Sequence, residues 1–456
     1  MYFFGCNALR RAAPALLGLV WWSAPLTLAA APPNLPNPSG PANLPAGTVS
    51  ALVPVAPPTL AQAFDQAWAR QPEGQSLDLR RQAAQARRQA AQAWTAEPPV
   101  LEMSGQSDRL LKNQGSREYA AGVALPLWLP GEREGTAALA EAESRVVDSR
   151  SGGARLRLAG QLRAAWWAWL GQQAEQQLAQ ARLEGASRLA ADVARRVRAG
   201  DLARADQHQA EGARASAAAA LAESDRALAG AARELRAIVG GWPEAPRVRM
   251  NGSVSATLSV PSPEPEPWPA LPDAGAGVPE GHPALAEWRD RAELARQSAE
   301  LARLQTRGNP ELVLSTARER GAFEEGWQRN LTVGVRIPIG SEARHQARLG
   351  LARAEALEAE RLGQLEQERL EASREASRHQ VDAVRRQLEA ATERARLAGE
   401  TRQFFDKSFR LGESDLPTRL RIELEAVEAE RQAARARIAL AAAISDLRQA
   451  LGLLPE

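Results

Sequence analysis

The sequence predicts a mainly α-helical protein with a small β portion, in which long antiparallel coiled-coil helices are laid out twice along one chain of 456 residues. Three observations predict this. The first is internal repetition: Pro126 with Pro338, Gly200 with Gly412, Leu235 with Leu447 and Gly240 with Gly452 are each 212 positions apart, and Pro72 with Pro283 and Pro99 with Pro310 are 211 apart. The period far exceeds that of a solenoid repeat, about 20–50 residues, so the chain reads as an internal duplication. The second is composition: aromatic residues make up only 5%, and Ala, Arg, Glu, Gln and Leu dominate, as in long helices. The third is periodicity, which is helical except in four short segments.

The first 31 residues read as an export signal. Arg10-Arg11 precedes an apolar run from Ala12 to Leu28, and Ala29-Ala30-Ala31 offers a cleavage site. Pro14 and Pro25 interrupt the run and argue against a retained anchor. The only cysteine, Cys6, falls inside this signal, so a mature chain would have no disulfide, thiolate metal site or Cys nucleophile. Residues 32–58 are a Pro-rich linker.

A first unit spans 59–242. Thr59 is a plausible cap for a helix running to about Ala96 with a break near Gln71-Pro72. Strands follow at Val100–Ser107 and Glu118–Trp128, then a long helix at Glu132–Val197, a turn at Gly200 and a helix at Leu202–Val239. A second linker, 243–281, is rich in Pro and acidic residues. The second unit, 282–456, repeats the plan, with strands at Glu311–Ala317 and Asn330–Ile339, a long helix at Glu342–Phe409, a turn at Gly412 and a helix at Leu416–Leu451. Val381, Val384, Leu388, Ala391 and Ala395 step 3-4-3-4, a coiled-coil seam. Each long helix is about 100 Å. The two shorter helices of a unit, about 37 residues each, should stack end to end beside it.

Leu331, Val333, Val335, Ile337 and Ile339 alternate with Thr332, Gly334 and Arg336, the period-two pattern of a strand with two unlike faces. Four strands of this length match transmembrane β-strands. In lipid a sheet must close, and four strands are too few, so several copies would have to pool them. Two readings stand: strands in a membrane, or hairpins capping a soluble coiled-coil rod. Trp94 and Trp128 at the helix–strand junctions fit an interfacial aromatic belt, and equally plain packing.

The order of these parts resembles the TolC-type outer-membrane efflux proteins. The segments that carry the resemblance are Asn309-Pro310-Glu311-Leu312, Val333 to Ile339 through Pro338, and Phe409-Arg410-Leu411-Gly412 with Leu447 to Gly452. The resemblance covers roughly 59–456. It implies a homotrimer with a trimeric α-barrel and a 12-stranded transmembrane β-barrel, four strands per chain, in the outer membrane of a Gram-negative bacterium and extending into the periplasm. It implies a passive exit duct served by a periplasmic adaptor and an inner-membrane RND-type pump. His282-Pro283-Ala284-Leu285 and Arg307 to Leu312 look most like the CzcC-like branch that serves heavy-metal pumps.

The resemblance also implies that the two Gly turns form an adaptor-docking tip: Arg198, Ala199 and Gly200, with Arg410, Leu411 and Gly412. The alternative is that each Gly serves only its turn. Better-known members carry acidic residues six and nine positions after the second tip Gly, narrowing the tunnel. Here those positions are Thr418 and Arg421, while the first half keeps Asp206. The candidate constriction is therefore Asp206, Thr418 and Arg421, with Glu413, Asp415 and Glu423 nearby.

No catalytic motif appears, so the chain reads as no enzyme, with no cofactor and no metal site. His208, His282, His345 and His379 are dispersed and read as solvated. The formal charge of +2 with mixed signs excludes a nucleic-acid footprint. Trp166-Trp167-Ala168-Trp169 either packs between helices or forms a collar. The rival function is a soluble periplasmic coiled-coil scaffold or adaptor.

Overall fold

The computed structural model describes residues 59–110, 113–241, 265–270, 281–340 and 342–456. The expected signal (1–31) and the linker 32–58 lie outside the described residues, as does 243–281 apart from 265–270 and 281.

The elements are α1 (Leu60–Arg70), α2 (Pro72–Ala91), β1 (Val100–Ser107), β2 (Arg117–Pro126), α3 (Glu132–Ala199), α4 (Arg204–Val239), α5 (Pro283–Leu304), β3 (Glu311–Arg320), β4 (Gln328–Arg336), α6 (Glu342–Arg410) and α7 (Leu416–Ala450). Local chemistry sets their starts. Thr59 and Gln62 form a reciprocal capping box at α1. Pro72 and Pro283 begin α2 and α5 where a missing N–H costs nothing. Asp415 accepts from the Thr418 N–H to start α7. In α3, Glu132 and Glu134 stand in the first turn and Arg196 and Arg198 in the last, complementing the helix dipole.

α3 and α6 have 68 and 69 residues, about 100 Å each. α2 runs antiparallel along the first part of α3, with Arg81–Asp148 at 2.8 Å and Arg87–Glu143 at 3.1 Å. α4 covers the second part, where Gln176 donates to Asp225. α5 and α7 divide α6 in the same way, through Arg296–Glu360 and Arg402–Glu430. The end-to-end stacking read from the sequence is thus present, but α2 stops at Ala91 rather than near Ala96, and α5 has only 22 residues. Pro98-Pro99 and Pro310 drive the residues before them out of the α region. The expected seam on α6 is partly realised: Val381 and Val384 are buried, and Leu388, Ala391 and Ala395 half-buried between exposed neighbours.

The main core lies where α1, α3, α4 and α7 meet. Phe64, Leu158, Leu162, Trp166, Trp167, Trp169 and Leu235 are all buried there, and Trp167 Nε1 donates to Ser445 Oγ at 2.8 Å. The tryptophan cluster packs between helices.

Residues 265–270 are held against this region by charge. Arg163, 1% exposed, grips Glu266 with two bonds of 2.7 and 2.9 Å and donates to Gln449 Oε1 and the Leu453 carbonyl. Arg448 donates to the Pro267 carbonyl and lies 3.4 Å from Glu266. Asp446 is raised above the usual carboxylate range by burial first, with Arg163 opposing and Glu266 adding to the rise.

Two histidines depart from the solvated reading. His345 is buried, and His282, 1% exposed, sits under Gly452 where α7 ends and α5 begins. Helical position alone does not reveal that junction. Burial lowers the His282 pKa, and the Ala450 carbonyl offsets this only in part; neither ring nitrogen makes a well-formed hydrogen bond. The folded chain therefore takes up this proton less readily than the unfolded chain. Its contribution to stability is complete above the ordinary His pKa, about 6.5, and is lost as pH falls below it. Thermal unfolding of His282→Gln should show a shallower loss of Tm on acidification from pH ~7 to ~5 than the parent. Parallel curves would exclude this role.

The strands form one four-stranded antiparallel sheet in the order β1-β2-β3-β4. The sequence anticipated two hairpins; the structure joins them through β2–β3, from Arg117 opposite Arg320 to Pro126 opposite Glu311. The base of this junction is tied by Glu132, which is buried and accepts from Gln305, from Asn309 at 2.6 Å and from the Leu129 N–H. Asn309 also reaches the Leu127 carbonyl. Asn309-Pro310 thus fixes where β3 leaves its helix.

Candidate functional site

The register places the two faces of the sheet in sharp contrast. One face carries Leu101 and Met103 from β1, Tyr119, Ala121, Val123 and Leu125 from β2, Leu312, Leu314 and Thr316 from β3, and Leu331, Val333 and Val335 from β4. The other carries Glu102, Ser104, Gln106, Glu118, Ser315, Glu319, Asn330 and Thr332, interspersed with Ala, Gly and the two valines Val100 and Val313. The apolar face is open: Met103 is 77%, Leu331 72% and Val333 66% exposed. A continuous apolar surface of this kind marks an interaction face.

The lateral edges are open as well. Among the described residues β1 and β4 each pair on one side only. Each therefore presents a row of backbone N–H and C=O groups ready for another strand. Strands of eight to ten residues rise about 27–34 Å, matching the hydrocarbon thickness of a bilayer.

Aromatic residues stand at both ends of the sheet. At the helix end Trp94 is exposed, and Trp128 is half-buried with its Nε1 donating to the Ala93 carbonyl. At the loop end Tyr119 stacks on Trp327 with ring centroids 5.9 Å apart. Trp327 lies in the β3–β4 loop, where no periodicity singled it out.

At the far end of the helices, both Gly turns share one apolar cluster. Leu189, Ala190 and Val193 of α3, Ala210 of α4, Phe409 of α6 and Leu416 of α7 pack together. Phe409 is flanked by two guanidiniums, Arg196 at 5.1 Å and Arg419 at 4.8 Å from its ring, and Arg196 donates to its carbonyl. Asp406 bridges Arg410 and Arg419. Burial pulls the Arg419 pKa down, and Asp406 and Glu423 work against that.

Gly200 and Gly412 have φ of +91° and +79°, a region that penalises a Cβ; both turns need glycine whatever else they do. Arg198, Ala199 and Arg410 end the long helices, and Leu411, beside Gly412, is 65% exposed. The candidate constriction residues are engaged locally. Asp206 accepts from the Ala203 N–H at the start of α4, the Thr418 N–H is taken by Asp415, and Arg421 pairs with Glu425.

Among the described residues no helix is long and apolar enough to cross a membrane, and no cluster of His, Cys, Asp or Glu has the makings of a metal site.

No protein-family model and no curated protein matches this sequence. Solved structures do. CusC, known from structures of its folding and transmembrane channel formation, is 18% identical with a TM-score of 0.67, over 87% of this chain and 92% of its own. The outer membrane protein VceC of Vibrio cholerae is 17% identical with a TM-score of 0.66, over 87% and 97%. The open state of the MtrE outer membrane channel of Neisseria gonorrhoeae is 17% identical with a TM-score of 0.65, over 87% and 89%. The chain has the fold of these outer-membrane channels.

Proposed function

We propose that this chain is one subunit of an outer-membrane exit duct, a passive channel with no catalytic role. The observation that carries the reading is the sheet: one apolar face, one polar face and two unpaired edges. Apolar side chains facing lipid and polar ones facing a lumen are the pattern of a membrane barrel. Neither edge can stay open in hydrocarbon. β1 of one copy pairing with β4 of the next removes both. Three copies, the number implied by the sequence resemblance, give a 12-stranded barrel, and their long helices form a tunnel through the periplasm. The recurring order α2-β1-β2-α3-α4 and α5-β3-β4-α6-α7 supports an internal duplication with units at 59–242 and 282–456.

In this reading the sheet lies in the outer membrane of a Gram-negative cell, residues 1–31 direct export, and the Gly turns point toward an inner-membrane RND-type pump through a periplasmic adaptor. The exposed Leu411 between Arg410 and Gly412 supports docking there. Leu411→Glu should abolish co-purification of the adaptor while leaving the trimer intact; unchanged recovery would assign the turn a structural role alone. For the constriction, single-channel recordings on Asp206→Asn should show weakened cation selectivity if the first half supplies the ring; unchanged selectivity would remove Asp206 from it. Heavy-metal cations are the cargo class implied by the segments at His282 and Arg307. His282 itself is a packing residue, so cargo chemistry is not carried by its side chain. Metal sensitivity of a deletion strain is the relevant readout.

The edge pairing is directly testable. Cysteines replacing Glu102 on β1 and Thr332 on β4 should, with a short thiol cross-linker in the outer membrane, give a covalent ladder ending at the trimer. A chain recovered as a soluble monomer without detergent would instead support a periplasmic scaffold.

A further inference from the structure

The apolar face of the sheet ends in arginine. Arg117 stands directly opposite Arg320, and Arg318 directly opposite Arg329. The register puts all four on the same face as Leu314, Leu331 and Val333, at the loop end. No carboxylate lies on this face of any of the four strands: Glu102, Glu118, Glu311 and Glu319 all lie on the other. Like charges directly opposed across a ladder are destabilising, and here two such pairs adjoin.

Surrounding groups hold two of the four, and among the described residues no carboxylate forms an ion pair with any of them. The guanidiniums of Arg318 and Arg320 lie 4.9 and 5.1 Å from the Trp327 ring, and Arg320 lies 5.4 Å from Phe323. Arg320 donates to the Gly115 carbonyl. Of the nearby loop acids, Asp108 accepts from the Gln114 N–H and Glu325 from the Gly321 N–H; Glu324 is exposed in the loop. The result is four cations and an aromatic pair bordering a continuous apolar stripe.

We propose that this arginine quartet binds the phosphate of an anionic lipid whose acyl chains lie along the apolar face beneath it. The occupant follows from the two chemistries being contiguous. A guanidinium pair matches phosphate oxygens, and hydrocarbon matches Leu314, Leu331 and Val333. A free anion would use only the first of these. The proposal rests on the reading that this face meets lipid, and it adds a headgroup preference that an apolar belt alone would not have.

The test uses the full chain, purified in detergent and exposed to an equal mixture of phosphatidic acid and phosphatidylcholine with identical acyl chains. Retained lipid is counted by native mass spectrometry. Phosphatidic acid should be retained about tenfold over phosphatidylcholine, a ratio equivalent to ~1.4 kcal/mol of headgroup preference. R318Q/R329Q should remove most of that preference. R318K/R329K, which keeps the charge, should retain much of it, and R336Q on the opposite face should leave it unchanged. Equal retention of the two lipids by the parent chain, or a ratio unmoved by R318Q/R329Q, overturns the proposal. Displacement of phosphatidic acid by millimolar inorganic phosphate also overturns it, in favour of a free-anion site. Equal retention by a parent chain that still needs detergent removes this inference alone; a parent chain soluble without detergent removes the membrane reading with it.

Discussion

Glu266→Ala should destabilise the helical body more than any other single substitution near the main core. Its carboxylate is the shared partner of two buried guanidiniums, Arg163 and Arg448. Removing one partner of a buried ion pair leaves uncompensated charge, at a cost of about 3–5 kcal/mol. The loss is amplified here because Arg163 also donates to Gln449, which in turn donates to the Leu156 carbonyl. The cluster thereby joins α3, the end of α7 and residues 265–270. Arg163→Met should show a similar loss, since it removes both short bonds to Glu266 and those to Gln449 and the Leu453 carbonyl, leaving Glu266 only the longer contact with Arg448. The double variant R163M/E266M should recover only the part due to Arg163, because Arg448 also loses Glu266 and keeps Glu456 as its carboxylate partner. Thermal unfolding in detergent measures all three. Single-variant losses below ~1 kcal/mol, in the range of exposed pairs, would show that the cluster contributes only a surface-like interaction.

Nothing in the sequence marks Arg163 or Glu266. They are 103 positions apart, one inside a helix of ordinary amphipathic appearance and the other in a segment that reads as linker. Pairing at that separation is set by tertiary packing, which composition and period do not encode. Local signals read well. The Thr59 cap, the break at Gln71-Pro72 and the Gly200 and Gly412 stops are each fixed by chemistry within four residues, and they appear where that chemistry places them. The strand pattern of β4 was legible because period two survives in a strand with unlike faces. The β2–β3 pairing was not, because the 184 residues from 127 to 310 separate those strands. The arginine quartet depends on that pairing: Arg117 and Arg320 are opposite only once the two hairpins are joined. The histidines show the converse. His282 and His379 look alike in sequence, yet one is sealed at a helix junction and the other is an exposed partner of Glu375.

The same alternation that makes the strands legible yields the sharpest test of which side meets lipid. Val333 and Thr332 are neighbours on β4, opposite Leu314 and Ser315 respectively, and both are exposed in a single chain. In a soluble rod, arginine at either position would be nearly neutral, since both side chains would point into water. In a membrane barrel they separate. Val333→Arg places a guanidinium against hydrocarbon near the middle of the strand, at about 2–4 kcal/mol, while Thr332→Arg places it in a polar lumen. The expected result is a marked fall in folded, outer-membrane trimer for V333R and near-parental recovery for T332R, read by heat-modifiability on gels. Leu314→Arg, across the ladder on the same face, should behave like V333R. Equal tolerance of both substitutions would place the two faces in the same solvent and return the sheet to water. The reverse asymmetry would turn the barrel inside out, with the carboxylates of Glu102, Glu118 and Glu319 facing lipid unpaired, an arrangement the cost of buried charge forbids.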